Sequence, residues 1–146
     1  MRAEADEARA AEEEDRRLAQ ARQVIAWVEH RPANPALLHF NSSGLRALRH
    51  EHVLCLVNHS AAPIFDVSVR VYWQESNSDV ELGTRSVVPG VGAEEVVLPE
   101  EHQEHGFSAS GLLVFRDLAG VRRRRWENGT FNELDENGQQ VGGPHR

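Results

Sequence analysis

A chain of 146 residues is one domain by length, and its single cysteine excludes a disulfide scaffold. With 40 % hydrophobic residues, 27 % charged residues and a net charge of −7, it can bury a core without staples, and a nucleic-acid footprint over the whole surface is disfavoured. The opening MRAEADEARAAEEED lacks the apolar centre of a signal peptide, and no run approaches the roughly 18 apolar residues of a spanning helix, so a cytoplasmic setting is expected.

Residues 1–16 are rich in Ala, Glu and Arg, which favours a helix. Acids precede arginines at four-residue spacing across Glu12 to Arg17. Such a stretch reads as a fraying tail, a solvated helix, or the end of a coiled coil. From Leu18 the pattern changes. Leu18, Ala21, Ile25 and Val28 fall at i, i+3, i+7 and i+10, with Trp27 beside them. Pro32 stops the element. The periodicity predicts a helix over roughly Glu7 to Glu29, within a helical segment 1–31. Its stripe of Leu18, Ala21, Ile25, Trp27 and Val28 is the expected contact for a partner protein or a second copy.

Residues 32–51 read as a linker with short irregular elements. Residues 36–40 could be a short strand or a helical turn, Asn41-Ser42-Ser43-Gly44 is a turn cluster, and 45–50 is ambiguous. The all-β text then begins. His52–Asn58 is apolar throughout, and Cys55 within it reads as a small buried hydrophobe rather than a reactive thiol. Ile64–Trp73 alternates. Phe65, Val67, Val69, Val71 and Trp73 should face the core, with Asp66, Ser68, Arg70 and Tyr72 facing water. Glu81–Val88 and Glu94–Leu98 flank the turn Pro89-Gly90-Val91-Gly92, where glycine tolerates positive φ. Phe107–Arg116 and Val121–Glu127 form a hairpin around Asp117–Gly120. Asn128-Gly129 turns the chain into Thr130–Leu134. Residues 136–146 read as a flexible tail. These about seven strands in roughly 85 residues predict an antiparallel β-sandwich over 52–135, with a small barrel as the alternative.

Two stretches could carry chemistry. His102 and His105, with Glu100, Glu101 and Glu104, could offer imidazole and carboxylate to a ligand. A zinc site, however, wants three or four converging ligands, and no metal is expected here. Arg122-Arg123-Arg124-Arg125-Trp126 is the most unusual run. On a strand, Arg122 and Arg124 share a face with Trp126, and Arg123 and Arg125 share the other. Such a run can bind nucleic acid or phosphate, although at a net charge of −7 with no aromatic platform beyond Trp126 nucleic acid is not the expected partner. It can equally pair with carboxylates of the chain, residues 12–15 among them, while arginine stems cover apolar surface. The tripeptides starting at Asn41, Asn58 and Asn128 match a glycosylation acceptor and read as turns. No nucleophile elbow, phosphate loop or Cys/His arrangement is present, so no enzyme and no cofactor are expected.

Three segments carry a resemblance: Val57-Asn58-His59-Ser60-Ala61-Ala62-Pro63-Ile64-Phe65-Asp66-Val67-Ser68-Val69, Val88-Pro89-Gly90-Val91-Gly92, and Val114 to Trp126 with its Phe115-Arg116-Asp117-Leu118-Ala119-Gly120 core. Together they resemble small actinobacterial proteins with an immunoglobulin-like sandwich after a charged helix. In that pattern tryptophan follows the hairpin glycine by two or three places, whereas here Arg123 stands there and tryptophan comes at Trp126. The resemblance implies an immunoglobulin-like fold and carries no catalytic residues. The expected role is a non-catalytic protein–protein interaction or accessory domain. The alternative is a ligand-binding module for a phosphate, metal or acidic polymer, using the arginine hairpin and the His102/His105 loop.

Overall fold

The computed structural model describes residues 2–32, 39–41, 44–46, 50–99, 102 and 108–145. The readings of residues 36–38, 42–43, 47–49, 100–101 and 103–107, His105 and Phe107 included, lie outside the described residues. One helix, α1 (Arg2–Arg22), opens the chain. It is shorter at its carboxy end than the predicted Glu7–Glu29. Gln23 turns the chain, its N–H donating to Gln20 O at 3.0 Å. Val24–Pro32 is then a strand, β1. It runs antiparallel to β4 (His50–Asn58), with Val24 opposite Asn58 and Pro32 opposite His50.

The physical reason is the run Val-Ile-Ala-Trp-Val, whose branched and aromatic side chains suit a pleated surface. Its burial has period two: Val24 and Ala26 are buried, while Ile25 and Trp27 are half-buried on the other face. The stripe at i, i+3, i+7 and i+10 therefore belongs to two elements. Leu18 and Ala21 end the helix and pack on the core, whereas Ile25 and Val28 belong to the strand. The coiled-coil reading is overturned: α1 is the one helix of such length among the described residues, and it stops before half of the stripe.

Two sheets make the sandwich. Three strands, β1, β4 and β7 (Gly92–Val97), form one in the order β1-β4-β7. The other holds β5 (Ile64–Trp73), β6 (Ser78–Val88), β8 (Ala109–Arg116), β9 (Arg122–Trp126), β10 (Phe131–Leu134) and β11 (Gln140–His145), in the order β11-β10-β9-β8-β5-β6. A small hairpin of β2 (His39–Asn41) and β3 (Gly44–Arg46) stands apart from both. The core between the sheets is built from Val24, Ala26, Leu54 and Leu56 on one side. Val67, Val69, Val71, Leu113, Phe115 and Phe131 face them. Each large apolar side chain so buried contributes about 1.5–3 kcal/mol.

Three sequence expectations change. Within the expected tail 136–146, Gln140–His145 form β11, which pairs with β10, and the His145 ring stacks on Phe131 at 5.2 Å. The Asp135 carboxylate accepts the Asn137 and Gln139 N–H groups, each at 2.9 Å, and so builds the turn between them. On β5, Asp66 has φ 49 and sits in a bulge, where the register moves from Phe65–Arg116 to Ser68–Val114. The extra residue puts Ile64 on the core face in place of Phe65, which is half-buried. In the turn after β6, the left-handed residue is Val91 (φ 57) rather than a glycine. Gly90 is needed for space, because a Cβ there would lie 2.3 Å from Ala61 O.

Close approach also explains Gly111. A Cβ on it would meet backbone atoms of Ala26 and Trp27 at 2.8–2.9 Å, where β1 crosses β8. Gly111→Ala should therefore force the sheets apart and destabilise the fold by about 1–3 kcal/mol in urea unfolding. An unchanged midpoint would mean that the crossing is loose.

Candidate functional site

The run Arg122–Trp126 becomes β9, and strand alternation divides it. Arg123 and Arg125 point into the sandwich and are buried, at 4 % and 7 % exposure. Arg122, Arg124 and Trp126 are half-buried on the outer face of the six-stranded sheet. Only the outer set is open to a ligand, so Arg123 and Arg125 drop out of the sequence-predicted site.

The inner pair is structural. Arg123 Nε donates to Asp117 Oδ2 at 2.9 Å, and Asp117 Oδ1 accepts the Val121 N–H at 2.9 Å. The carboxylate thus neutralises a buried guanidinium and fixes the β8–β9 turn. Arg125 meets carbonyls instead. Its Nε donates to Val24 O at 3.1 Å, its Nη2 to Arg22 O at 3.4 Å, and its Nη1 to Gly129 O. It therefore caps the last turn of α1, where the helix dipole favours a cation, and the start of β1. Burial first, then the charge of Arg22, lowers its pKa from the ordinary value. Both guanidinium carbons stand over the Phe131 ring, at 5.9 and 5.7 Å from its centroid.

The outer face is different. Arg124 lies over the Trp126 ring at 5.5 Å, and its buried Nε has no hydrogen-bond partner among the described residues. Tyr72 meets Trp126 edge to face at 5.1 Å and 84°. Leu112, opposite Trp126 on β8, is buried on this same side. Elsewhere in the sandwich arginines find carboxylates. Arg31 pairs with Glu95 at 2.9 Å, Arg85 with Glu94 at 3.2 Å, Arg116 with Asp66 at 3.3 Å, and Arg70 with Asp79. Among the described residues Arg122 and Arg124 have no such partner. Next to Trp126 opens a pocket of about 710 Å³, lined by Tyr72, Gln74, Glu75, Ser110, Trp126, Glu127 and their neighbours.

Other sequence-predicted residues do not join this face. Ala21 is fully buried, and Leu18 and Val28 pack on the core. Ile25 and Trp27 lie on the outer side of the three-stranded sheet, so these five residues form no common helical surface. The His102 ring packs against Trp73 at 5.0 Å, and Trp73 belongs to the core side of β5. Among the described residues no three His, Cys, Asp or Glu side chains converge for a metal. Cys55 is buried and donates to Glu29 Oε2 at 3.3 Å. Burial and the Glu29 carboxylate push its thiol up to about 11, which keeps it protonated and a poor nucleophile. No described helix is long and apolar enough to cross a membrane.

Sequence reasoning missed three arrangements. The Arg123–Asp117 pair needed knowledge of which strand face is inside, although the Phe-Arg-Asp run was a local signal. The Tyr72–Trp126 contact joins two distant strands. Asn58, read as the end of a strand and the start of a turn, is fully buried. Its side chain donates to Ala62 O at 2.9 Å and Pro89 O at 3.1 Å, and accepts from Ser60 Oγ at 2.6 Å. Gln20 adds α1 to that knot, its Nε2 donating to Pro63 O at 3.2 Å and its Oε1 accepting the Leu118 N–H at 2.9 Å.

Asp117→Asn should leave the Arg123 charge uncompensated inside the sandwich, at a cost of about 3 kcal/mol. Adding Arg123→Met should recover much of that loss, because it removes the buried charge. A double variant no more stable than Asp117→Asn would show that charge is not the issue. Glu127 offers a pH test. The residue is exposed overall, but partial desolvation of its carboxyl raises the pKa, although the Gly111 and Val28 N–H groups pull it down. A raised folded-state pKa means stability present at acid pH and lost as pH rises through that value. Glu127→Gln should therefore raise the melting temperature at neutral pH, with the gain vanishing below about pH 4, near the unfolded carboxyl pKa. A gain independent of pH would assign the effect to packing instead.

Comparisons with protein-family models, with curated proteins and with solved structures gave no match, so the functional reading rests on this geometry.

Proposed function

We propose that the chain is a non-catalytic interaction domain whose outer sheet face takes an acidic segment of a partner protein. The observation that carries this reading is the pair Arg122 and Arg124. Arg124 lies over Trp126, Arg122 stands two places back on the same face, and both lack a carboxylate, in a chain of net charge −7 whose other described sandwich arginines have found partners. The stack of Arg124 on Trp126 orients the guanidinium without neutralising it. Cross-strand neighbours Leu112 and Val114 lie beneath. The arginine stems cover that apolar surface and keep their heads available.

An immunoglobulin-like assignment goes with this reading, and the strand order supports it. Among the strands of the two large sheets, the first, second and fifth form one sheet. The third and fourth join the sixth and seventh in the other, as in two-sheet Greek-key sandwiches. The additional hairpin β10–β11 extends the face next to β9.

A labelled glutamate-rich peptide should bind the full chain, and binding should weaken steeply with salt. Arg122→Gln with Arg124→Gln should cost tenfold or more in affinity, about 1.4 kcal/mol per decade. Equal binding by the variant, or none by the native chain, overturns the proposal. So does a clear preference for polyphosphate or a short nucleic acid titrated in parallel.

A further inference from the structure

The helix carries charge opposite in sign to that of this face. Every residue from Ala3 to Arg17 is exposed, and among the described residues α1 is tied to the sandwich near its carboxy end, through Leu18, Gln20, Ala21 and Arg22. Across those exposed residues seven carboxylates stand against three arginines. Glu12 and Glu13 have Arg16 and Arg17 four places on, a spacing that pairs charges on a helix surface. Glu4, Glu7 and Asp15 have no arginine three or four places away. With Ala8 and Ala11 they lie along one side of the helix, continuing the line that ends at Leu18. The small alanines between the acids let that side come close to a flat surface. The chain therefore holds acids without cations on a projecting helix, and cations without acids on a sheet face. Among the described residues no ion pair joins the two within one copy.

Resting on the reading of the sheet face given above, we infer that its acidic occupant is α1 of a second copy. The Glu4, Glu7 and Asp15 side of one helix lies against Arg122 and Arg124 of the other copy. A two-fold arrangement makes the contact twice, since each copy offers both a helix and a face. The association is a helix laid on a sheet, and its attraction is largely coulombic, so it is sensitive to salt.

Sedimentation velocity of the full chain, over a range of concentration and salt, tests this. Dimers are expected at low salt and monomers at high salt. Reversing the helix charges (Glu4→Lys, Glu7→Lys, Asp15→Lys) should weaken the dimer at least tenfold without touching the core, because those positions are exposed. Reversing the sheet charges (Arg122→Glu, Arg124→Glu) should do the same, and combining both sets should restore the dimer. If the sheet variant unfolds, as its far-UV circular dichroism would reveal, the helix variant alone decides. Monomers at low salt and high concentration, or dimers that survive the helix reversal, overturn the inference. The glutamate-rich peptide separates the two levels. A monomeric chain that still binds it loses only the second-copy occupant, whereas one that binds neither loses the interaction face as well.

Discussion

The guanidinium of Arg125 is where the parts of this fold meet. It accounts for the carbonyls of Arg22 and Val24, which lie at the junction of α1 and β1, and for the Gly129 carbonyl in the turn before β10. Each of those oxygens is at or near the end of an element, where regular hydrogen bonding runs out. A neutral side chain there would leave several acceptors without a donor, and an unmet buried polar group costs about 1–3 kcal/mol. The first strand therefore takes its place at the sheet edge partly because a residue a hundred positions later closes its open side. Glu127, two residues on, continues the same seam by accepting the Gly111 N–H at 2.7 Å.

Beside that seam sits Phe131, with Arg123 and Arg125 above it and His145 stacked against it. A planar cation can lie on an aromatic ring and still donate from its edge, which an ammonium does less well. All sixteen cations of the chain are arginine. That choice lets one strand serve two environments. Its inward arginines complete hydrogen bonding and cover Phe131, while outward Arg124 lies over Trp126 beside Val114.

How much of this could be read in advance depends on whether the signal was local. β5 was legible because period-two alternation over ten residues has no helical imitation, and only the bulge at Asp66 escaped, since nothing in the residue names marks an extra residue in a ladder. The hairpin of β8 and β9 was legible from its turn. Residues 18–29 were not. Four apolar residues at helical spacing were shared between a helix end and a strand start, and Pro32 fits the end of either. β11 was missed although Asn137-Gly138 is a strong hairpin signal, because Gln140–His145 carries almost no apolar side chain and is exposed nearly throughout. The division of the arginines into two faces was readable from the sequence. Which face was inside was not, because two of the carbonyls that receive Arg125, those of Arg22 and Val24, lie at the far end of the chain.

The same alternation limits what the outer face can be. Arg122 and Arg124 are separated by one residue, so their heads emerge on one side of the sheet about 7 Å apart along the strand. Arg116, across from Arg122 on β8, is already held by Asp66, and Arg70 on β5 by Asp79. The uncompensated charge is thus confined to two positions on one strand, next to an aromatic pair. A long polyanion would leave most of its charges unmet there and would face Glu75 and Glu127 at the adjoining pocket. The proposed occupant, a short acidic segment, would meet the narrow cationic strip without extending over that acidic border.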